Sequence, residues 1–157
     1  MPGKTFSWQE YMNAWNTGNV DRILDAYAED CIVETGATPQ PVHGKQELRK
    51  NLQGYFKAFS DMNGDAEVLV ASGEYVAALL RTTSVNTGVM EIPGQKPIPA
   101  TNKTVKNTLA VFLQLNEQGK IAREWDVSNQ LAAFQQLGVP PPMTGASATG
   151  TTTPRRA

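Results

Sequence analysis

Thiol, imidazole and net charge are all scarce in this chain. Its 157 residues include one cysteine, Cys31, and one histidine, His43. A lone cysteine closes no intramolecular disulfide and builds no multi-cysteine metal site, so no metal centre is expected. The 14 basic and 15 acidic residues leave a formal charge of −1. With no cationic excess to neutralise phosphates, a nucleic-acid partner is not expected. No apolar run approaches the roughly 20 residues that span a bilayer, so no membrane partner is expected either. The start of the chain lacks the apolar stretch of a secretory signal, which points to the cytoplasm. Also missing are G-x-S-x-G, the phosphate-binding G-x-x-x-x-G-K-[ST], a helix-opening G-x-G-x-x-G and H-E-x-x-H. What remains is carboxylate acid/base chemistry, with His43 as a helper.

The near-zero charge conceals a split. The last twenty residues hold Arg155 and Arg156 and no acid, so the rest of the chain carries 12 basic and 15 acidic residues, a charge of −3. The end of the chain is also rich in Pro, Gly, Ala, Ser and Thr and buries too little apolar area to offset its chain entropy. One domain over residues 1–138 and a disordered tail over 139–157 are therefore expected.

Ser7 and Glu10 have the S-x-x-E spacing of a capping box. Trp8, Tyr11, Met12 and Trp15 follow on one helical face. Thr17-Gly18-Asn19 ends that helix, Asn19 caps a second, and Val20, Ile23, Leu24 and Tyr27 continue the helical spacing. Residues 31–34 read as a short strand. A third helix is predicted from about Lys45 to Met62, with Leu48, Leu52, Tyr55, Phe56 and Phe59 on its apolar face. Gly54 within it costs roughly 1 kcal/mol against alanine and suggests close packing on a sheet. The period then changes. Strands are predicted over 66–71, 75–85, 104–115 and 120–127, with a proline-rich loop over 90–102 and a final helix over 130–137. Helices first and strands later give an α+β fold with an antiparallel sheet.

The chemistry-bearing candidate is Arg123-Glu124-Trp125-Asp126-Val127. On a strand Glu124 and Asp126 share one face, and Arg123, Trp125 and Val127 share the other. Two ionised carboxylates so placed repel, so one has a raised pKa and can move protons near neutral pH. The alternative is that the carboxylates lie on a solvated sheet face with Trp125 in the core. His43 either faces a pocket and bonds a substrate oxygen or simply caps the third helix. Asn107, on the apolar face with Val105 and Leu109, either lines a cavity or bonds a neighbour. Trp8, Tyr11, Trp15, Tyr55 and Phe59 form either core or the apolar wall of a pocket.

The run Gly119-Lys120-Ile121-Ala122-Arg123-Glu124-Trp125-Asp126-Val127, followed by Leu131-Ala132-Ala133-Phe134-Gln135-Gln136-Leu137-Gly138, resembles the C-terminal signature of SnoaL-like polyketide cyclases. The corner from Trp15 to Asp21, His43-Gly44 and Asn102-Lys103 resemble the family as well, so the likeness runs from about Trp8 to Gly138. It implies a cone-shaped, curved antiparallel sheet with three N-terminal helices enclosing a mostly apolar pocket, as in nuclear transport factor 2 and ketosteroid isomerase. It also implies a homodimer joined through the outer sheet face. The activity implied is an intramolecular aldol condensation of a small, hydrophobic carbonyl compound, without metal or cofactor. Asp126 matches the family's acid/base aspartate. Asn107 or His43 would stabilise the enolate by location, with Trp15, Tyr55, Phe59 and Trp125 as candidate substrate contacts. The chain departs from many relatives in having Glu124 in place of a histidine and Asn129 near a second aspartate position. An isomerase or hydrolase using the same carboxylate, or a non-catalytic carrier of a hydrophobic ligand, are the alternatives on this fold.

Overall fold

Residues 5–141 are described in the computed structural model of the chain. The Ser7 hydroxyl oxygen accepts the Glu10 amide hydrogen at 3.3 Å and caps α1 (Trp8–Asn16); such a cap stabilises a helix by about 1 kcal/mol. Gly18, at φ +64°, turns the chain into α2 (Val20–Leu24), which Asn19 caps. Tyr27 continues the helical spacing of Val20, Ile23 and Leu24 but does not belong to that helix. It opens β1 (Tyr27–Thr35) instead, paired with Ile121. The short β2 (Val42–His43) leads into α3 (Gly44–Ala58).

The apolar series that predicts α3 as far as Met62 breaks four residues early. Phe59 pairs with Asn86 and starts β3 (Phe59–Ser72), so sheet pairing overrides local helical spacing there. β4 (Tyr75–Asn86), β5 (Thr104–Leu115) and β6 (Ile121–Ser128) follow as an antiparallel meander, and α4 (Gln130–Leu137) comes after them. The proline-rich connection before β5 holds one isolated bridge, Met90 to Ile98.

The six strands are ordered β2-β1-β6-β5-β4-β3. The fold is α+β, but the sheet is mixed rather than antiparallel throughout, because β1 runs parallel to β6. The chain from β1 reaches the rest of the sheet through α3, and a crossover of this kind is what allows parallel neighbours. The three expected helices precede the meander, though β1 and β2 separate the second from the third.

Register defines the two faces of the sheet. Val33, Glu124, Leu113 and Val76 lie in one row across β1, β6, β5 and β4; Asp126, Val111 and Ala78 form the next row on that side. This inner face packs on Tyr11, Met12, Leu48 and Leu52 of the helices to form the main core. Ile32, Arg123, Gln114 and Tyr75 define the outer face, with Trp125 and Phe112 in the adjacent row.

Two polar devices fix the end of the sheet beyond β6. Asn86 is fully buried: its amide nitrogen donates to the carbonyls of Ala58 and Gly88, and its Oδ1 accepts from the amide and hydroxyl of Thr101. Gln136 of α4 pairs its carboxamide with both the amide and the carbonyl of Lys106, at 2.8 Å each. Gly88 is needed for close approach, since a Cβ there would lie 1.9 Å from the Lys57 carbonyl oxygen. Gly54 has no such reason, because a Cβ at that position would meet nothing within 4 Å. Val139, placed in the expected tail, packs against a small cluster that contains Leu137 and Val105. Most of that tail, residues 142–157, lies outside the described residues.

Candidate active site

Strand alternation carries Glu124 and Asp126 to the same face of β6, and the row partners show that it is the inner one. Glu124 is only 3% exposed, and its neighbours across the sheet are Val33 and Leu113. The carboxylates are therefore turned into the protein, and Trp125 is turned out. The Arg123 guanidinium sits 4.9 Å from the Trp125 ring centroid and also bonds Glu34 at 3.1 Å.

Two tyrosines meet Glu124. Tyr27, at the start of β1, donates its hydroxyl hydrogen to Glu124 Oε2. Tyr11, from the buried side of α1, lies 3.0 Å from the Tyr27 hydroxyl and 3.5 Å from the same Glu124 oxygen. Tyr11 has a single hydroxyl proton, and both acceptors lead it toward the carboxylate. Asp126 is placed differently: its Oδ1 is buried and has no hydrogen-bond partner among the described residues.

Burial pushes the Glu124 carboxyl above its ordinary range, and hydrogen bonds with Tyr27, Asp126 and Tyr11 pull it part of the way back. Asp126 is raised further, by burial first and then by the Glu124 charge and the hydrogen bond between the two carboxyls. Both phenols are pushed well above 10 by burial first and by Glu124 second, so they remain donors. Such a pair holds one proton and one charge at a pH where two exposed carboxylates would both be ionised.

Aromatic rings continue from this cluster along the helices. Tyr11 meets Trp15 at 6.3 Å between ring centroids, Trp15 meets Tyr55 at 6.3 Å, and Tyr55 stacks on Phe59 at 5.2 Å. Three of the candidate substrate contacts, Trp15, Tyr55 and Phe59, thus form one apolar series that starts at the carboxylate cluster. Asn107 lies on the inner face, paired with Thr82, four residues along β5 from the Asp126 partner Val111. That separation is about 13 Å of strand.

Two candidates are not brought to this face. His43 is exposed and shares an outer-face row with Ile32 and Arg123; its side chain makes no cap bond, while its amide donates to Glu47 at 2.9 Å. A pocket-facing His43 is thereby overturned, since β2 turns Val42 inward instead. Trp125 is likewise corrected as a contact on the carboxylate side, because alternation places it opposite Asp126. The sequence pattern reads Tyr11 as core or pocket wall and Tyr27 as part of a helical series, and it singles out neither as a donor to Glu124. Both fit apolar helical spacing, and their partner Glu124 lies 113 and 97 residues away in the chain.

An open cleft of about 370 Å³ lies between α1, α2 and the β5–β6 turn, with Phe6, Tyr11, Arg22 and Lys120 in its wall. Neither carboxylate lines it. General acid/base work needs a titratable group with a shifted pKa, and the inner face carries two such carboxyls.

The six-stranded mixed sheet, its covering helices and an inward-facing acidic pair define an α+β protein with an acidic centre on the inner sheet face. The sequence profile of the SnoaL-like polyketide cyclases matches residues 7–137, and the chain belongs to that family. Among solved structures it is similar to AclR of Streptomyces galilaeus, provisionally described as a hydroxylase, at 25% identity and a TM-score of 0.68, over 83% of this chain and 91% of that one. It is also similar to IdmH of Streptomyces antibioticus, provisionally described as a polyketide cyclase, at 19% identity and 0.66, over 83% and 95%. TsrD of Streptomyces laurentii aligns at 20% identity and 0.68, over 84% and 92%. No curated protein matches the sequence. Among the described residues, no helix is long and apolar enough to cross a membrane.

Proposed function

We propose that the chain is a cofactor-independent, aldol-type cyclase that acts on a bulky apolar carbonyl compound, with Asp126 as its general acid/base. One observation carries the reading: an inward-turned, half-buried carboxyl whose Oδ1 is buried and has no hydrogen-bond partner among the described residues. A native structure rarely leaves such a group unbonded without a use for it. The family membership and the series Trp15–Tyr55–Phe59 support a bulky apolar substrate.

In the proposed reaction, Asp126 takes a proton from the carbon between activating carbonyls, and the C–H electron pair becomes the enolate. The enolate carbon attacks a second carbonyl of the same molecule, forming the C–C bond and leaving an alkoxide. The alkoxide recovers the proton from Asp126. Atoms and charge balance within one substrate molecule. Asn107, about 13 Å of strand from the Asp126 row, is too far to stabilise an enolate formed at Asp126 and instead serves the far end of a long substrate.

Native mass spectrometry after gentle purification, followed by turnover assays on the ligand class found, tests the reading. A retained polycyclic or polyketide-like carbonyl compound that wild type converts and Asp126→Asn does not is the expected result. A ligand bound equally by both and converted by neither would replace the cyclase with a carrier.

A homodimer is proposed through the outer sheet face. Phe112 and Val127 are 50% and 64% exposed there, beside Val70 and Tyr75 on the neighbouring strands. Contiguous apolar exposure of this kind marks an association surface.

A further inference from the structure

The proposed acid/base role leaves open which carboxyl of the pair holds the proton, and the surroundings of the two differ. The geometry points to Tyr27 as a positioning residue that keeps the charge on Glu124 and the proton on Asp126. This inference rests on reading the pair as the acid/base centre.

A phenol donates to a carboxylate, and an ionised acceptor makes the stronger bond. Glu124 receives the Tyr27 hydroxyl hydrogen directly, with Tyr11 behind it at 3.0 Å from Tyr27 and 3.5 Å from Glu124. Both donors come from rigid elements: Tyr11 from α1 and Tyr27 from the parallel pairing of β1 with β6. Among the described residues, Asp126 receives neither phenol, and its Oδ1 has no partner. Two close carboxyls in a buried site do not both ionise, so the single proton goes to the one with fewer donors. The other titratable group facing the pair is the buried Cys31 thiol of β1, which burial and Glu124 hold in its neutral form. Among the described residues, no Lys or Arg forms an ion pair with either carboxyl.

The arrangement makes Glu124 a proton reservoir. When Asp126 Oδ1 takes the substrate proton, the proton already on Asp126 passes to Glu124, and the pair goes from a single negative charge to neutral. When the alkoxide takes its proton back from Oδ1, Glu124 returns the other proton to Asp126. Tyr27 keeps its own hydrogen throughout.

Infrared spectra of ligand-free protein carrying ¹³C-carboxyl label in either aspartate or glutamate read the proton position without any substrate. For wild type near neutral pH, the expected result is a protonated C=O band in the aspartate-labelled sample that disappears in Asp126→Asn. Tyr27→Phe should weaken that band and bring up a protonated band in the glutamate-labelled sample. It should also move the acid limb of the pH–activity profile to higher pH. Tyr11→Phe should do the same to a smaller degree, and it serves if Tyr27→Phe does not fold. A glutamate band in wild type, or proton positions unchanged in both tyrosine variants, would overturn the assignment. An inactive protein with the expected bands would overturn the cyclase reading alone.

Discussion

The Tyr27 hydroxyl donates to Glu124 Oε2 across the parallel pairing of β1 and β6, joining residues 97 positions apart in the chain. This pairing separates the two acids of β6. Both face the inner side, but one has donors on it and the other has a buried oxygen unbonded among the described residues. The functional reading depends on that asymmetry.

Asp126→Asn keeps the shape of the side chain and removes its titration. Turnover should fall by about 10² to 10⁴, the usual contribution of a positioned acid/base. The fold should be retained, because the substitution takes away a carboxyl that is costly to ionise in its buried position. Circular dichroism and steady-state kinetics on the same preparation check both halves.

The raised carboxyls also set a pH dependence of stability. Unfolded aspartate and glutamate titrate near 3.8 and 4.5, and both groups lie higher in the folded chain. Below the unfolded values both states are protonated and the full stability is present. Above them the folded state holds more protons than the unfolded one, so the contribution declines as pH rises through the folded values. Urea unfolding at a series of pH values should show this decline in wild type and a shallower one in Asp126→Asn.

Outer-face substitution should separate assembly from chemistry. Phe112→Glu places a charge in the middle of the apolar patch and is expected to convert a dimer to a folded monomer in analytical ultracentrifugation. Because Phe112 faces away from Asp126, the ligand-free infrared bands of the pair should not change.

Gly88→Ala forces a Cβ to within 1.9 Å of the Lys57 carbonyl oxygen, a backbone atom that has little room to move. A loss of more than about 2 kcal/mol in chemical denaturation is expected. Gly54→Ala, in open space within a helix, should stabilise by roughly 0.5–1 kcal/mol.

Local signals in the sequence predict local structure well. Ser7 and Asn19 cap the helices they were expected to cap, and β5 and α4 have the predicted bounds. Failures occur where a distant partner decides. Tyr27 and Phe59 both fit a helical series, but pairing with Ile121 and Asn86 makes them strand residues. Alternation along β6 shows that Glu124 and Asp126 share a face. It cannot show that the acidic face is the inner one, because Ile121, Trp125 and Val127 make the opposite face the more apolar. The parallel contact of β1 with β6 settles that question, and no short stretch of sequence encodes it. For the same reason Tyr11 reads as core or pocket wall and Tyr27 as a helical apolar position until the fold sets their hydroxyls on Glu124.

Hydrogen–deuterium exchange at an activated carbon tests the central claim most directly, since it needs only the first proton transfer. Bulky 1,3-dicarbonyl compounds would be incubated in D₂O with wild type and with Asp126→Asn, and exchange followed by NMR. Wild type should accelerate exchange well above the buffer rate, and Asp126→Asn should not. Equal acceleration by both proteins would contradict the role of Asp126, and no acceleration by wild type across the series would contradict the enolising chemistry.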